Sequence, residues 1–132
     1  MLSLQAELVG SWRLVKYEEL PVDGSPITRP FGDQPKGYII YSADGYFAAL
    51  LSPTDEHSEA DSIVYAGPYN VDEAQHIVHQ EADVSLVPGW TGKIHSRKAQ
   101  IEGNRLTLSS LTPATLSGRT VNAVITWQRA GV

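Results

Sequence analysis

Eleven glycines and eight prolines are spread along the whole chain. No segment between them repeats apolar residues at every third and fourth position for the dozen residues a packed helix needs. Glycine weakens a helix and proline breaks it, so this punctuation leaves room only for short extended pieces joined by turns. The chain therefore reads as all-β and antiparallel, a single domain over residues 1–132.

The pieces can be placed. Ser3 caps a short helical turn through Leu8. Strands are expected at Val9–Leu20, Lys36–Tyr41, Tyr46–Leu51, Ser62–Val71, Ala74–Ala82, Gly92–Ile101, Arg105–Leu111 and Thr120–Arg129. Ser42-Ala43-Asp44-Gly45, Asp72-Glu73 and Glu102-Gly103-Asn104 read as tight hairpin turns, since Asp-Gly supports the positive φ such turns require. Pro21 to Pro35, with four prolines and two glycines, reads as a loop. Pro53 to Asp61, with four acidic residues and His57, reads as a short exposed helix or a flap over a pocket. About eight meandering strands close naturally into an up-and-down barrel, which removes exposed edges. The interior of such a barrel is filled by side chains or holds one small ligand.

Composition excludes several functions. There is no cysteine, hence no disulfide or thiolate metal site and no sign of an oxidising compartment. The formal charge of −5 opposes binding to phosphate backbones, so nucleic acid is not an expected partner. Met1 to Gly10 has neither a basic start nor a long apolar run, which predicts no signal peptide, no membrane span and a cytoplasmic location. No Gly-x-Ser-x-Gly elbow and no Gly-x-Gly-x-x-Gly loop is present, so no cofactor is expected. His76 and His79 would lie on opposite faces of a strand, and His57 sits in the acidic loop, so no metal site is expected.

Alternation along the strands suggests the lining. Ile63, Tyr65, Gly67, Tyr69 and Val71 share a face, as do Val121, Ala123, Ile125 and Trp127; the larger members should fill or line the interior. His95, Arg97, Ala99 and Ile101 share another face. In the fifth strand the pattern leaves both phases open: Gln75, Ile77, His79 and Glu81 inward, or His76, Val78 and Gln80 inward.

Gly10-Ser11-Trp12-Arg13-Leu14-Val15 resembles the Gly-x-Trp opening strand of lipocalin-type barrels. Gly37-Tyr38-Ile39-Ile40-Tyr41, Asp44-Gly45-Tyr46, Tyr65-Ala66-Gly67-Pro68-Tyr69, His79, Pro88-Gly89-Trp90-Thr91-Gly92, Arg97, Arg105-Leu106-Thr107-Leu108 and Trp127-Gln128-Arg129 follow in order. As an ordered set covering nearly the whole chain, these resemble the small lipocalin-like domain proteins of bacteria and fungi. The resemblance implies a lipocalin-like barrel of about eight strands. It also implies that Trp12 packs across the closed end beneath Arg129 of the last strand. Related barrels bind small hydrophobic molecules or act as cyclases or isomerases in secondary-metabolite pathways.

His79 and Arg97 stand mid-strand on neighbouring strands, where an inward polar side chain needs a partner. Histidine exchanges a proton near neutral pH, and arginine holds a carboxylate or enolate with a planar fork. With Tyr65 and Tyr69 they would form a polar cluster in an apolar cavity. The alternative is an internal network, His79 with Glu81 or Tyr65 and Arg97 with Asp83. Trp90 caps the pocket mouth or plugs a barrel end. Tyr41, Tyr38, Tyr46 and Phe47 line the cavity or fill the core. The leading expectation is binding of a small hydrophobic or amphipathic molecule, oriented by Arg97, His79 and the tyrosines. The alternatives are a cofactor-free cyclase or isomerase with His79 as acid/base and Arg97 as charge stabiliser, and a ligand-free interaction module with an apolar patch at a homodimer interface.

Overall fold

The computed structural model describes residues 2–53, 62–116 and 119–131. The expected flap at Pro53 to Asp61 falls, apart from Pro53, outside the described residues. Helix α1 (Leu4–Leu8) opens the chain, capped by the Ser3 hydroxyl, which accepts from the Ala6 amide. Among the described residues ten strands follow: β1 (Gly10–Pro21), β2 (Lys36–Tyr41), β3 (Tyr46–Ser52), β4 (Ile63–Asp72), β5 (Ile77–Glu81), β6 (Val84–Ser85), β7 (Ile94–Glu102), β8 (Arg105–Ser110), β9 (Ala114–Leu116) and β10 (Arg119–Arg129). Antiparallel pairing runs β1-β2-β3-β4-β5-β7-β8-β10, and β10 pairs back onto β1, closing a barrel of eight strands. The short β6 and β9 lie beside β4 and β10. Closure leaves none of the eight with an open edge. Among the described residues no helix is long and apolar enough to cross a membrane.

The hairpin at Ser42–Gly45 forms as its sequence predicts, with Gly45 at φ +98°. The β4–β5 turn differs from expectation. It occupies residues 73–76 rather than Asp72-Glu73, with His76 in the left-handed region at φ +57°. This placement also decides the phase of β5.

β1 departs from strict alternation. Its register against β10 slips between Leu14 and Lys16, a bulge of one residue. Trp12 and Leu14 face inward before the bulge, and the buried Tyr17 does so after it, opposite Ile125. Alternation continued without the bulge would have put Lys16 and Glu18 inside. Instead Glu18 forms an ion pair with Arg29 on the surface.

One barrel end is closed. Leu4 and Leu8 of α1 are buried beneath Trp12, whose indole Nε1 donates to the Leu8 carbonyl at 2.9 Å. The Arg129 guanidinium lies 4.1 Å from the centroid of the Trp12 ring and donates to the Glu7 and Val9 carbonyls. The Glu73 carboxylate accepts from the Leu4 and Gln5 amides, pinning α1 to the β4–β5 turn. At the other end the long 22–35 connection turns inward: Phe31 is buried, with its ring 4.9 Å from that of Tyr17.

Gly67 marks the point where the chain leaving β5 crosses β4. β4 pairs with β5 from Tyr69 onward and with β6 at Tyr65 and Ala66. A Cβ at Gly67 would overlap the Glu81 carbonyl and crowd the Asp83 amide, both rigid backbone. Gly67→Ala is therefore expected to cost about 1–3 kcal/mol, the usual penalty of overpacking. A urea titration with an unchanged midpoint would show that the crossing opens without cost.

Candidate functional site

The interior is built from alternate residues of every barrel strand. In β5 it is Val78 and Gln80 that are fully buried. Their cross-strand partners on β7 are Arg97 and His95. Arg97 and His95 therefore point inward, in line with the fully buried Ala99.

His79 takes the opposite face. Its partner across the pair is Ser96, and its Nδ1 lies 2.6 Å from the Ser96 hydroxyl. The expected interior pair of His79 and Arg97 is therefore not formed. The physical reason is the burial of Val78 and Gln80, which commits the odd-numbered residues of β5 to the outside. The histidine beside Arg97 in the interior is His95.

Aromatic rings join the other predicted residues into one wall. Tyr69 packs edge-on against Tyr41 at 4.9 Å, and Phe47 lies 6.4 Å from Tyr41 and 5.3 Å from Tyr65. Tyr65 meets Trp90 edge-on at 5.1 Å, and Trp90 lies over His95 at 4.3 Å. Trp90 thus reaches from the loop after β6 onto the inward residues of β4 and β7. The Tyr69 hydroxyl is committed to the closed end, donating to the Ser42 carbonyl at 2.8 Å. Tyr38 and Tyr46, expected in the lining or core, stand exposed on the outer face instead.

Polar groups within this wall are poorly matched. Arg97 is half-buried. Among the described residues its guanidinium has no carboxylate within ion-pair distance, Asp83 included, and its Nη1 donates only to the carbonyl of adjacent Ser96. Gln80 donates from Nε2 to the Tyr41 hydroxyl at 3.3 Å, while its Oε1 has no partner among the described residues. His95 Nε2 and Trp127 Nε1 are likewise buried and unpaired among the described residues. Buried polar atoms are nearly always satisfied in folded proteins, so such a group is unusual.

Electrostatics keep the phenols and the imidazole neutral. Burial pushes the Tyr41 hydroxyl well above its ordinary range, with Tyr65 and Tyr69 adding to the effect. Burial raises Tyr65 too, against the pull of Arg97. Tyr17 is raised by burial and by Glu19, whose carboxylate accepts from its hydroxyl at 3.3 Å. His95 is lowered from 6.5, first by burial and then by Arg97. Below about pH 6.5 the unfolded chain binds a proton at this histidine that the folded chain resists. Its contribution to stability is therefore whole above that pH and is lost as pH falls toward the folded value. The expected result is a lower urea midpoint at about pH 5.5 than at about pH 7.5, with a smaller pH difference in His95→Gln. An undiminished pH difference in that variant would place the effect elsewhere.

Sequence reasoning left the phase of Gln80 open and did not single out Gln80, His95 or Tyr17 as site residues. His95 shared a predicted face with Arg97, and that was the available signal. The phase of β5 and the bulge in β1 carried none.

Comparison with known proteins agrees with this architecture. The family model described as a lipocalin-like domain matches residues 9–62 and 54–130. The 4'-hydroxy-3'-methoxypropiophenone carrier protein ppsC of Aspergillus oryzae is 28% identical over 90 residues, covering 61% of this chain and 80% of the relative. The solved structure of a redesigned β barrel superposes with a TM-score of 0.50 over 98% of this chain and 96% of its own, at 12% identity, a likeness of fold alone. The closed eight-stranded barrel and a family match spanning nearly its whole length together place this chain in the lipocalin-like domain family.

Proposed function

We propose that the protein binds a small, partly apolar aromatic molecule inside the barrel, with Arg97 donating to an oxygen of the ligand. The observation that carries this reading is Arg97 itself. It is an inward guanidinium beside an aromatic wall, without a carboxylate partner among the described residues. A cation in that setting is a ready donor to a carbonyl, phenolate or carboxylate oxygen. Tyr65, Trp90 and Phe47 supply flat apolar surface of the kind that binds an aromatic ring. The carrier relative, named for an aryl ketone, supports the same ligand class.

Catalysis gains no comparable support. The acid/base role was expected of His79, and that imidazole faces away from the interior. Binding needs no such group.

The test is a fluorescence titration with 4'-hydroxy-3'-methoxypropiophenone. Trp90 is the half-buried tryptophan of the ring wall, whereas Trp12 and Trp127 are fully buried. Saturable quenching is expected in the native protein and is expected to vanish in Trp90→Phe, with binding retained by calorimetry. Absence of any saturable signal by either method would overturn the reading for this ligand class.

A further inference from the structure

We propose that Gln80 and His95 form a subsite for a hydroxyl group, which makes the ligand a phenol or other aromatic alcohol. The inference rests on the interior-binding reading and deepens it. Gln80 is fully buried, and among the described residues its amide oxygen is unpaired while its nitrogen is held by Tyr41. His95 is its direct cross-strand partner, and the buried His95 Nε2 is also unpaired among the described residues. Two unsatisfied atoms on adjacent inward positions call for one group that bonds to both.

The chemistry selects that group. An amide oxygen only accepts, an amide NH₂ only donates, and a neutral imidazole nitrogen does one or the other according to tautomer. A hydroxyl donates and accepts at once. With the amide oriented as the structure has it, Nε2 on the Tyr41 hydroxyl, the hydroxyl of a ligand donates to Gln80 Oε1 and accepts from the Nε2–H tautomer of His95. A carboxylate accepts only, so it would leave Gln80 Oε1 unpaired. An ether or a hydrocarbon would leave at least one of the two groups bare, at the cost of a desolvated polar atom. Arg97, one inward position along β7 from His95, remains free for a second oxygen of the same ligand. Trp90 and Tyr65 flank His95 with ring surface, which favours an aromatic carrier for the hydroxyl.

The test compares 2-naphthol, 2-methoxynaphthalene and naphthalene by calorimetry and by ¹⁵N NMR of the His95 ring. The expected result is that 2-naphthol binds at least about tenfold tighter than the other two, as a lost hydrogen bond in a dry site predicts. It should also shift the His95 Nε2 resonance, which the ether and the hydrocarbon should not. Gln80→Leu should erase the advantage of 2-naphthol and leave naphthalene binding unchanged. The NMR readout on the native protein keeps the idea testable if that variant fails to fold. Equal affinity for all three probes, as a bridging water alone would produce, overturns the hydroxyl subsite and leaves interior binding standing. Failure of all three to bind overturns both.

A second observation, on the outside of the barrel, is independent of the first. Register places Tyr38, Leu50 and Val64 in one outward row across β2, β3 and β4, and Ile40, Ala48, Ala66 and Val84 in the next. Tyr38 is 50% exposed, Ile40 43%, Leu50 42% and Val84 68%. Apart from Arg13, which register sets beside Tyr38 on β1, both rows are free of charge in a chain of net charge −5. We infer that this face packs on the same face of a second copy. Two copies repel each other elsewhere on the surface, and an uncharged patch is where they can meet without that cost. With Tyr46 and Leu86, also exposed here, the large apolar side chains form a patch of a few hundred Å² or so, the size that marks protein contact sites. Sedimentation is expected to show a dimer that Leu50→Arg converts to monomer with an unchanged circular dichroism spectrum. A native protein that sediments as a monomer at about 100 μM, or a dimer that survives Leu50→Arg, would overturn this.

Discussion

Truncating Trp12 to alanine lowers the free energy of unfolding by about 3–5 kcal/mol, the cost of removing a fully buried indole from a packed core. The size of the effect follows from how many elements meet on that ring. Its Nε1 holds the C-terminal carbonyl of α1, its face carries the Arg129 guanidinium, and Leu4 and Leu8 pack below it. Without the ring, Arg129 loses its aromatic support while still bonded to Glu7 and Val9, and α1 loses the surface it docks on. Trp12→Phe separates these contributions. It keeps an aromatic face for Arg129 but leaves the Leu8 carbonyl without its donor, a loss of about 1–3 kcal/mol. Urea midpoints at constant m-value read both variants. A loss under about 1 kcal/mol for Trp12→Ala would mean that the hairpin turns close this end without the helix and the ring.

Replacing Arg97 by leucine is expected to move stability and binding in opposite directions. The native guanidinium is half-buried without a carboxylate among the described residues, and desolvating such a cation opposes folding. Leucine keeps apolar volume in the interior and removes the charge, so stability should hold or rise by up to roughly 2 kcal/mol. Affinity for 4'-hydroxy-3'-methoxypropiophenone should fall by about tenfold to a hundredfold, which is what loss of a charged hydrogen bond of about 1.5–3 kcal/mol predicts. His95 gives an internal check. Arg97 helps to hold its protonation down, so in Arg97→Leu the imidazole should titrate closer to 6.5. Thermal denaturation, calorimetry and ¹⁵N-detected titration read the three effects. If Arg97→Leu destabilised the protein and left affinity unchanged, the guanidinium would be a packing element and the binding reading would lose its main support.

The candidate site was legible in part. Tyr65, Tyr69, Tyr41, Trp90 and Arg97 were readable from alternation, aromatic content and the family resemblance, and the structure brings them together around the interior. His79 was readable as a histidine mid-strand, and its face was not. Ile77-Val78-His79-Gln80-Glu81 mixes apolar and polar residues on both of its faces. Period-two alternation then yields two solutions of similar merit. Gln80 stayed undecided for the same reason.

What the sequence by itself determined is the set of eight barrel strands and their antiparallel neighbours; the short β6 and β9 were read as connections. Glycine and proline marked most of the turns, Asp-Gly turned β2 into β3, and the large apolar residues of β4 and β10 marked their inward faces. These are local properties, set by backbone sterics and by the hydrophobic pattern within a few residues. Tertiary structure alone decided the phase of β5, the bulge that turns Tyr17 inward, and the pairing of Gln80 with His95. Closing the barrel requires every strand to meet both neighbours in register, and that condition joins residues far apart in the chain. A one-residue choice in β5 or β1 is nearly neutral within the strand, and the packing of the whole interior makes it.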